Sequence, residues 1–553
     1  MKLRALVLVA LIFMGLYGAQ KLWAQSPNPN IHMKSSSLGL FSGFEKFVDE
    51  LPIPTKIQVG LGKQNEVTVH LNQFKTKFHR DLPDTLIWGY DGSSPGPILE
   101  VEQGHPVRVH WQNDLPTTHL LKYIPTSMDG GAPPPEVRNV THLHGAAVSQ
   151  PSYKDRKFNS DGWPDAWTLP GEEQIADYPN AQSSRTLWYH DHPGGATARN
   201  VYAGLAGMYL IHDSYERSLK LPDGKFDIPI LVQSRGFNND GSLFYPTEGF
   251  KEFYGNALSV NGKVWPYLNV EPRKYRVRFL NASNARTIAL KLIDLKDQSS
   301  GPAFYQIGSD AGFLENTVVL NDPTDAASAR LELAPAERGD VIIDFSKYAG
   351  HDFILHNNSL TDAGEGEIPL PQVMLFKVAS KVTETDLSQL PMKMKPIVRL
   401  NAKDAAQTRQ IVFGQMKMAD GTPMLTLNGK HWHDPIDEKP VFGTTEVWNL
   451  VNTLNDIHPF HIHLVEFQIL DRTPFNVEEF NKTGKVIFTG ASVAPDPNEM
   501  GWKDTVRVLP EAVTRIIMKF TPYTGFYVYH CHILEHEDMD MMRPFQVLSA
   551  PLK

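Results

Sequence analysis

"TEVWNLVNT", residues 445–453, is the stretch that decides the fold, because it occurs three times in altered spelling. "PVRVHWQND" (106–114) and "KYRVRFLNA" (274–282) share its alternation of apolar and polar residues, the period of a half-buried strand, and its asparagine near the end. Those asparagines are Asn113, Asn281 and Asn452, spaced by 168 and 171 residues. Upstream, "NGKVW" (261–265) and "NGKHW" (428–432) repeat at a spacing of 167. A period of this size with strand patterning implies three copies of one β-domain. We place them at about 50–214, 220–378 and 405–553, joined by a polar, proline-containing linker at 379–404.

The totals agree with an all-β chain. Its 553 residues suffice for three or four domains of ~150 residues. Proline (41) and glycine (40) are frequent, as many turns require. A net charge of −9 supplies no basic footprint for nucleic acid. The N-terminus has Lys2 and Arg4 followed by an apolar run over 5–19 and a cleavage point after Ala24. Residues 1–24 therefore read as a signal peptide, with a retained N-terminal anchor as the alternative. Either way the body is exported, to the periplasm or beyond. After cleavage we expect a monomer with no stable membrane association.

The 21 histidines are unevenly shared. Ten lie in four short motifs: "HLHG" (142–145), "HDH" (190–192), "HPFHIH" (458–463) and "HCHILEH" (530–536). The first copy holds two motifs, the third holds the other two, and the middle copy has only His351 and His356. On a strand, His-x-His sets both imidazoles on one face about 6.5–7 Å apart. Four such pairs supply eight imidazoles, enough for several copper ions where copies one and three meet. A fifth pair, His431 and His433, reads as structural, because His431 aligns with Val264 of the middle copy.

Cys531 is the only cysteine and sits inside "YHCHILEHEDMDMM" (529–542). On a strand it faces away from His530 and His532, so it serves another site than its neighbours. His458 and His536 are the histidines left outside the pairs, and Met541 follows. Two histidines, a thiolate and a weak axial methionine form the blue-copper electron-transfer set. Met539 and Met542 are the rival axial candidates. The segment reads as a short wire joining two metal sites.

"HLHG", "LWYHDH", "HPFHIH" and "HCHILEHEDMDMM" occur in this order, supported by "NVYAGLAGMYLI" (200–211) and "EPRKYRVRFLNAS" (271–283). With them the chain resembles the multicopper oxidases, most of all the bacterial spore-coat-type laccases and the bilirubin oxidases. That resemblance implies three cupredoxin-like, Greek-key β-barrel domains and four copper ions. Type 1 copper would take His458, Cys531, His536 and axial Met541. Type 2 would take His142 and His461. One type 3 ion would take His144, His190 and His532, the other His192, His463 and His530. Asp161 and Glu537 match the family's proton-delivering carboxylates. The implied reaction couples one-electron oxidation of phenolic or other electron-rich donors to four-electron reduction of O₂ to water. Electrons would enter through the exposed edge of a type 1 ligand histidine. Alternatives are a cuprous or other metallo-oxidase for copper tolerance, or bilirubin-oxidase-like activity. Spore-coat members lack an export signal, and here the chain departs from them.

Overall fold

Each of the three matching stretches occupies the same place in its own sheet. Val107–Asn113, Lys274–Asn281 and Thr445–Asn452 pair in parallel with Glu66–Thr76, Asp227–Arg235 and Gln407–Lys417 respectively. On the other edge they pair antiparallel with Glu173–Tyr178, Arg338–Asp344 and Ala512–Lys519. Along Val107–Asn113 every second side chain is buried and those between are half-buried, as the sequence alternation requires. The computed structural model describes residues 40–550 apart from 42, 61–64, 130–133, 248–251, 326, 359–367 and 418–422. The signal segment lies outside the described residues.

The repeated asparagine has one task in all three copies. Fully buried, its side-chain oxygen accepts the backbone N–H two residues on. Asn113 accepts from Leu115 at 3.2 Å, Asn281 from Ser283 at 3.1 Å and Asn452 from Leu454 at 2.9 Å. This Asx turn leads the chain out of the sheet while satisfying a buried amide locally. Asn261 and Asn428 are equivalent in the same way. Both adopt left-handed backbone, φ 47° and 56°, and accept from Leu231 and Val412 at 2.9 and 2.7 Å.

Among the described residues six sheets form three pairs, each enclosing one apolar core. The architecture is all-β, with three cupredoxin-like domains in one chain. Trp111 and Trp448 are fully buried in the first and third cores. Truncating either to alanine would cost about 3–5 kcal/mol. Residues 379–401 run irregularly ahead of a single 3-10 turn at Ala402–Asp404, with Met394 buried beside Ile307 and Leu314 of the middle domain. Among the described residues no helix is long and apolar enough to cross a membrane.

Two strand pairs set up the site. In the first domain Thr141–His144 pairs antiparallel with Arg185–Asp191, so His142 lies opposite His190. In the third, His458–Ile462 pairs antiparallel with Gly525–Cys531, so His461 lies opposite His530. The two domains are tied beside these strands. Phe526 N donates to Gln150 O at 3.0 Å, and the Tyr527 hydroxyl donates to Val148 O at 2.9 Å. Asp538 accepts from the backbone of Thr197 and Ala198, at 3.1 and 2.9 Å, and so pins the short helix Leu534–Asp538 to the first domain.

Candidate metal centre

The histidines of the two end domains meet ring on ring. His142 stacks on His463 with centroids 3.8 Å apart, and His144 on His461 at 3.6 Å. The donor atoms of His142, His144 and His461 lie within 4.8 Å of one another. The same holds for His144, His190 and His532, and for His192, His463 and His530. All eight rings are buried.

One nitrogen of each of six rings is occupied by an acceptor in the surrounding protein, His530 Nδ1 by Cys531 O at 3.2 Å. His142 Nδ1 meets Asp161 O at 2.5 Å, His190 Nδ1 meets Asp191 O at 2.9 Å and His461 Nδ1 meets Asp504 O at 2.7 Å. His463 Nδ1 meets Asp161 Oδ2 at 2.9 Å, and His144 Nε2 meets Asp504 Oδ1 at 3.1 Å. The opposite nitrogens of His142, His144, His190 and His461 have no hydrogen-bond partner, nor has either nitrogen of His532. Leaving so many buried nitrogens unpaired would cost about 1–3 kcal/mol each. Metal ligation supplies what they lack, with the outer acceptors fixing each ring's tautomer.

Burial keeps these rings neutral, as ligands must be. It pushes His190 down to about 3 and His192 to about 4, with neighbouring imidazoles adding to the effect. His142, His144, His461, His463 and His532 lie well below the ordinary histidine value for the same reasons.

A second group lies behind the strand. Cys531 Sγ is 3.4 Å from His458 Nδ1 and 3.8 Å from His536 Nδ1, and the two Nδ1 atoms are 3.3 Å apart. Cys531 belongs to the third domain's apolar core, while His530 and His532 turn to the cluster. Burial pushes the Cys531 thiol well up, a tendency that a bound cation reverses. Met541 is fully buried in the same core, and its carbonyl accepts from Cys531 N at 2.9 Å. Met542 instead packs with Trp163 and Trp432, and Met539 is half-buried. A soft thiol and neutral imidazoles suit copper, so the donor set fits that ion.

Both carboxylates singled out in the sequence are buried rather than solvated. Burial raises Asp161 well above the carboxylate range, and its Oδ1 has no partner. Glu537 has Oε2 3.0 Å from His530 Nδ1 and Oε1 3.5 Å from His192 Nε2. Burial opposes its ionisation, but the nearby His530 and His192 hold it below the usual range.

One expectation is corrected. Neither His458 nor His536 has an exposed edge. The middle domain's Glu252 covers the latter, with Oε1 3.1 Å from His536 Nε2. Burial resists ionisation of Glu252, yet His536 and Tyr254 draw its carboxyl down to about 2. Glu252 was invisible to motif reading because it lies far outside the histidine motifs. His431 is structural: its Nδ1 is 3.1 Å from Asp540, which also accepts from Trp432 N at 2.8 Å. Glycine is required at 162, where φ is +81° and a Cβ would lie 2.9 Å from His142 Cα.

Comparison with known proteins agrees with this chemistry. Two family models, each described as multicopper oxidase, match residues 137–216 and 392–551. The chain is 42% identical over 529 residues to a laccase of Bacillus subtilis (strain 168), covering 91% of this chain and 98% of that one. It is 34% identical over 527 residues to a bilirubin oxidase of Albifimbria verrucaria, covering 92% and 82%. Its fold is similar to the crystal structure of the McoA multicopper oxidase from Aquifex aeolicus, with TM-score 0.73, 27% identity and coverage of 91% and 100%. A laccase-like copper-dependent oxidoreductase with O₂ as electron acceptor, this chain belongs to the multicopper oxidase family.

Proposed function

We propose that the chain holds four copper ions and oxidises phenolic or other electron-rich small molecules. His458, Cys531, His536 and Met541 would hold type 1 copper. His142 and His461 would hold type 2. His144, His190 and His532 would hold one type 3 ion, and His192, His463 and His530 the other. The observation that carries this reading is the set of buried, partnerless imidazole nitrogens drawn from two domains beside a buried Cys–His–His group. When bound, copper would supply one-electron redox chemistry, so that four electrons from donors and four protons could reduce O₂ to two waters.

The protein's own part is placement, insulation and protons. Cys531 is bonded in sequence to both His530 and His532, so the two groups are joined through a few covalent bonds. Glu252, which covers His536, lines a small crevice together with Tyr254, Thr287, Ile457 and Ile533. Asp161, kept protonated by burial, is suited to give a proton, and Glu537, kept ionised, to accept and pass one. We assign the domains to 50–214, 220–378 and 405–553 with a linker at 379–404, and place the protein in the periplasm or outside as a monomer.

The test is metal analysis of copper-loaded protein with O₂ uptake on a panel of phenols, bilirubin and Cu(I). Four coppers per chain and fastest uptake with phenols support the reading. Fewer than three coppers, or faster turnover of Cu(I) than of any phenol, contradicts it.

A further inference from the structure

A buried ion pair connects the middle domain, which contributes no histidine to the groups above, with the centre. Arg338 of that domain holds both carboxylate oxygens of Asp504 in the third: Nη1 is 2.7 Å from Oδ1, and Nη2 contacts Oδ2. The guanidinium is fixed in turn, Nε donating to Thr186 O at 3.1 Å, Nη1 to Ala336 O at 2.9 Å and Nη2 to Asp310 O at 3.1 Å. A carboxylate gripped by a two-pronged fork has little freedom to turn.

Asp504 also meets two histidines from different domains, besides accepting from the Thr505 hydroxyl at 3.0 Å and from Ile462 N at 3.4 Å. Its Oδ1 lies 3.1 Å from His144 Nε2, and its carbonyl accepts from His461 Nδ1 at 2.7 Å. An acceptor at one ring nitrogen keeps the proton there and leaves the lone pair on the other. His144 is thereby left with Nδ1 and His461 with Nε2, the atoms that have no partner. The two rings are stacked, yet they offer opposite nitrogens; Asp504 supplies an acceptor to each, and the Thr505 hydroxyl, itself bonded to Asp504, also lies 3.1 Å from His144 Nε2.

Gly145 gives independent support. It closes "HLHG" with φ +85°, and a Cβ there would collide with Asp504 Oδ2 and come within 3.2 Å of Arg338 Nη2. The motif's glycine thus makes room for the ion pair as well as for the turn.

We propose that Arg338 and Asp504 are positioning residues of the trinuclear group: the Asp504 carboxylate selects the nitrogen that His144 presents, its carbonyl does the same for His461, and Arg338 locks the carboxylate, and with it this stretch of chain, in place. The middle domain governs assembly of a centre to which it gives no ligand. This rests on the copper assignment above.

The experiment compares wild type with Asp504→Asn and Arg338→Met, each loaded with copper. Bound copper, the blue thiolate band, the type 2 paramagnetic signal and thermal unfolding of the copper-free protein are measured. Asparagine offers only one acceptor to two Arg338 nitrogens, so a donor faces a donor whichever way the amide turns. We expect both variants to keep the blue band, bind the trinuclear coppers about 10–100-fold more weakly and show an altered type 2 signal. Wild-type affinity and an unchanged type 2 signal in both overturn the proposal. Loss of the blue band together with the other coppers also overturns it, since a general structural role would move both. Should Arg338→Met not fold, the near-isosteric Asp504→Asn carries the test. Failure of wild type itself to bind four coppers would count against the copper assignment instead.

Discussion

His144 of the first domain and His461 of the third lie face to face, 3.6 Å between centroids and 15° between planes. Two imidazoles so placed repel if both are protonated, and water has no access to relieve them. The stack is therefore held by what surrounds it and by what it binds. Several consequences of that arrangement are measurable.

Copper removal should make the fold acid-sensitive. In the unfolded chain a histidine titrates near 6.5, whereas burial holds His190 and His458 near 3 and His192 near 4. Below pH 6.5 the unfolded state binds protons that the folded state refuses, so stability falls as pH falls. At pH 5 these three groups together remove on the order of 6 kcal/mol relative to pH 8. Denaturant unfolding at the two pH values should show a much lower midpoint at pH 5 for copper-free protein, and a smaller drop for copper-loaded protein.

Replacing Cys531 with serine should abolish the intense blue thiolate band and nearly all donor oxidation. The cluster histidines remain, so up to three coppers stay bound by metal analysis. A strong blue colour in this variant would remove Cys531 from the type 1 set.

Much of this was legible in the sequence. Strand alternation and the recurring Asn113, Asn281 and Asn452 announce three like domains, because an Asx turn at a strand end is a local device that leaves a local mark. His-x-His pairs are legible for the same reason: alternate side chains share a face. Asp504, Arg338 and Glu252 were not, since each acts across a domain boundary on a residue more than 150 positions away. A lone acid or arginine carries no spacing that betrays such a contact. Burial of His536 was missed likewise, because its cover comes from another domain.

The two buried carboxylates should matter to O₂ reduction and not to colour. Asp161→Asn and Glu537→Gln each remove a titratable carboxyl beside the cluster, and turnover should fall by about 100-fold or more. The blue spectrum should be nearly unchanged. Stopped-flow reoxidation of reduced enzyme by O₂ isolates the step, and wild-type rates in both variants would exclude the relay.

Met541→Leu should raise the type 1 potential, because a thioether helps stabilise the oxidised ion and leucine does not. Redox titration beside Met539→Leu and Met542→Leu decides the ligand. A shift in either rival, with none at Met541, would reassign the axial position.

Full reduction of O₂ by a four-copper enzyme is tested by counting electrons. Copper-loaded protein is given a measured amount of a phenolic donor while O₂ consumption and hydrogen peroxide are recorded. Four donor electrons per O₂ and no peroxide are expected. Two electrons per O₂ with stoichiometric peroxide would contradict full reduction.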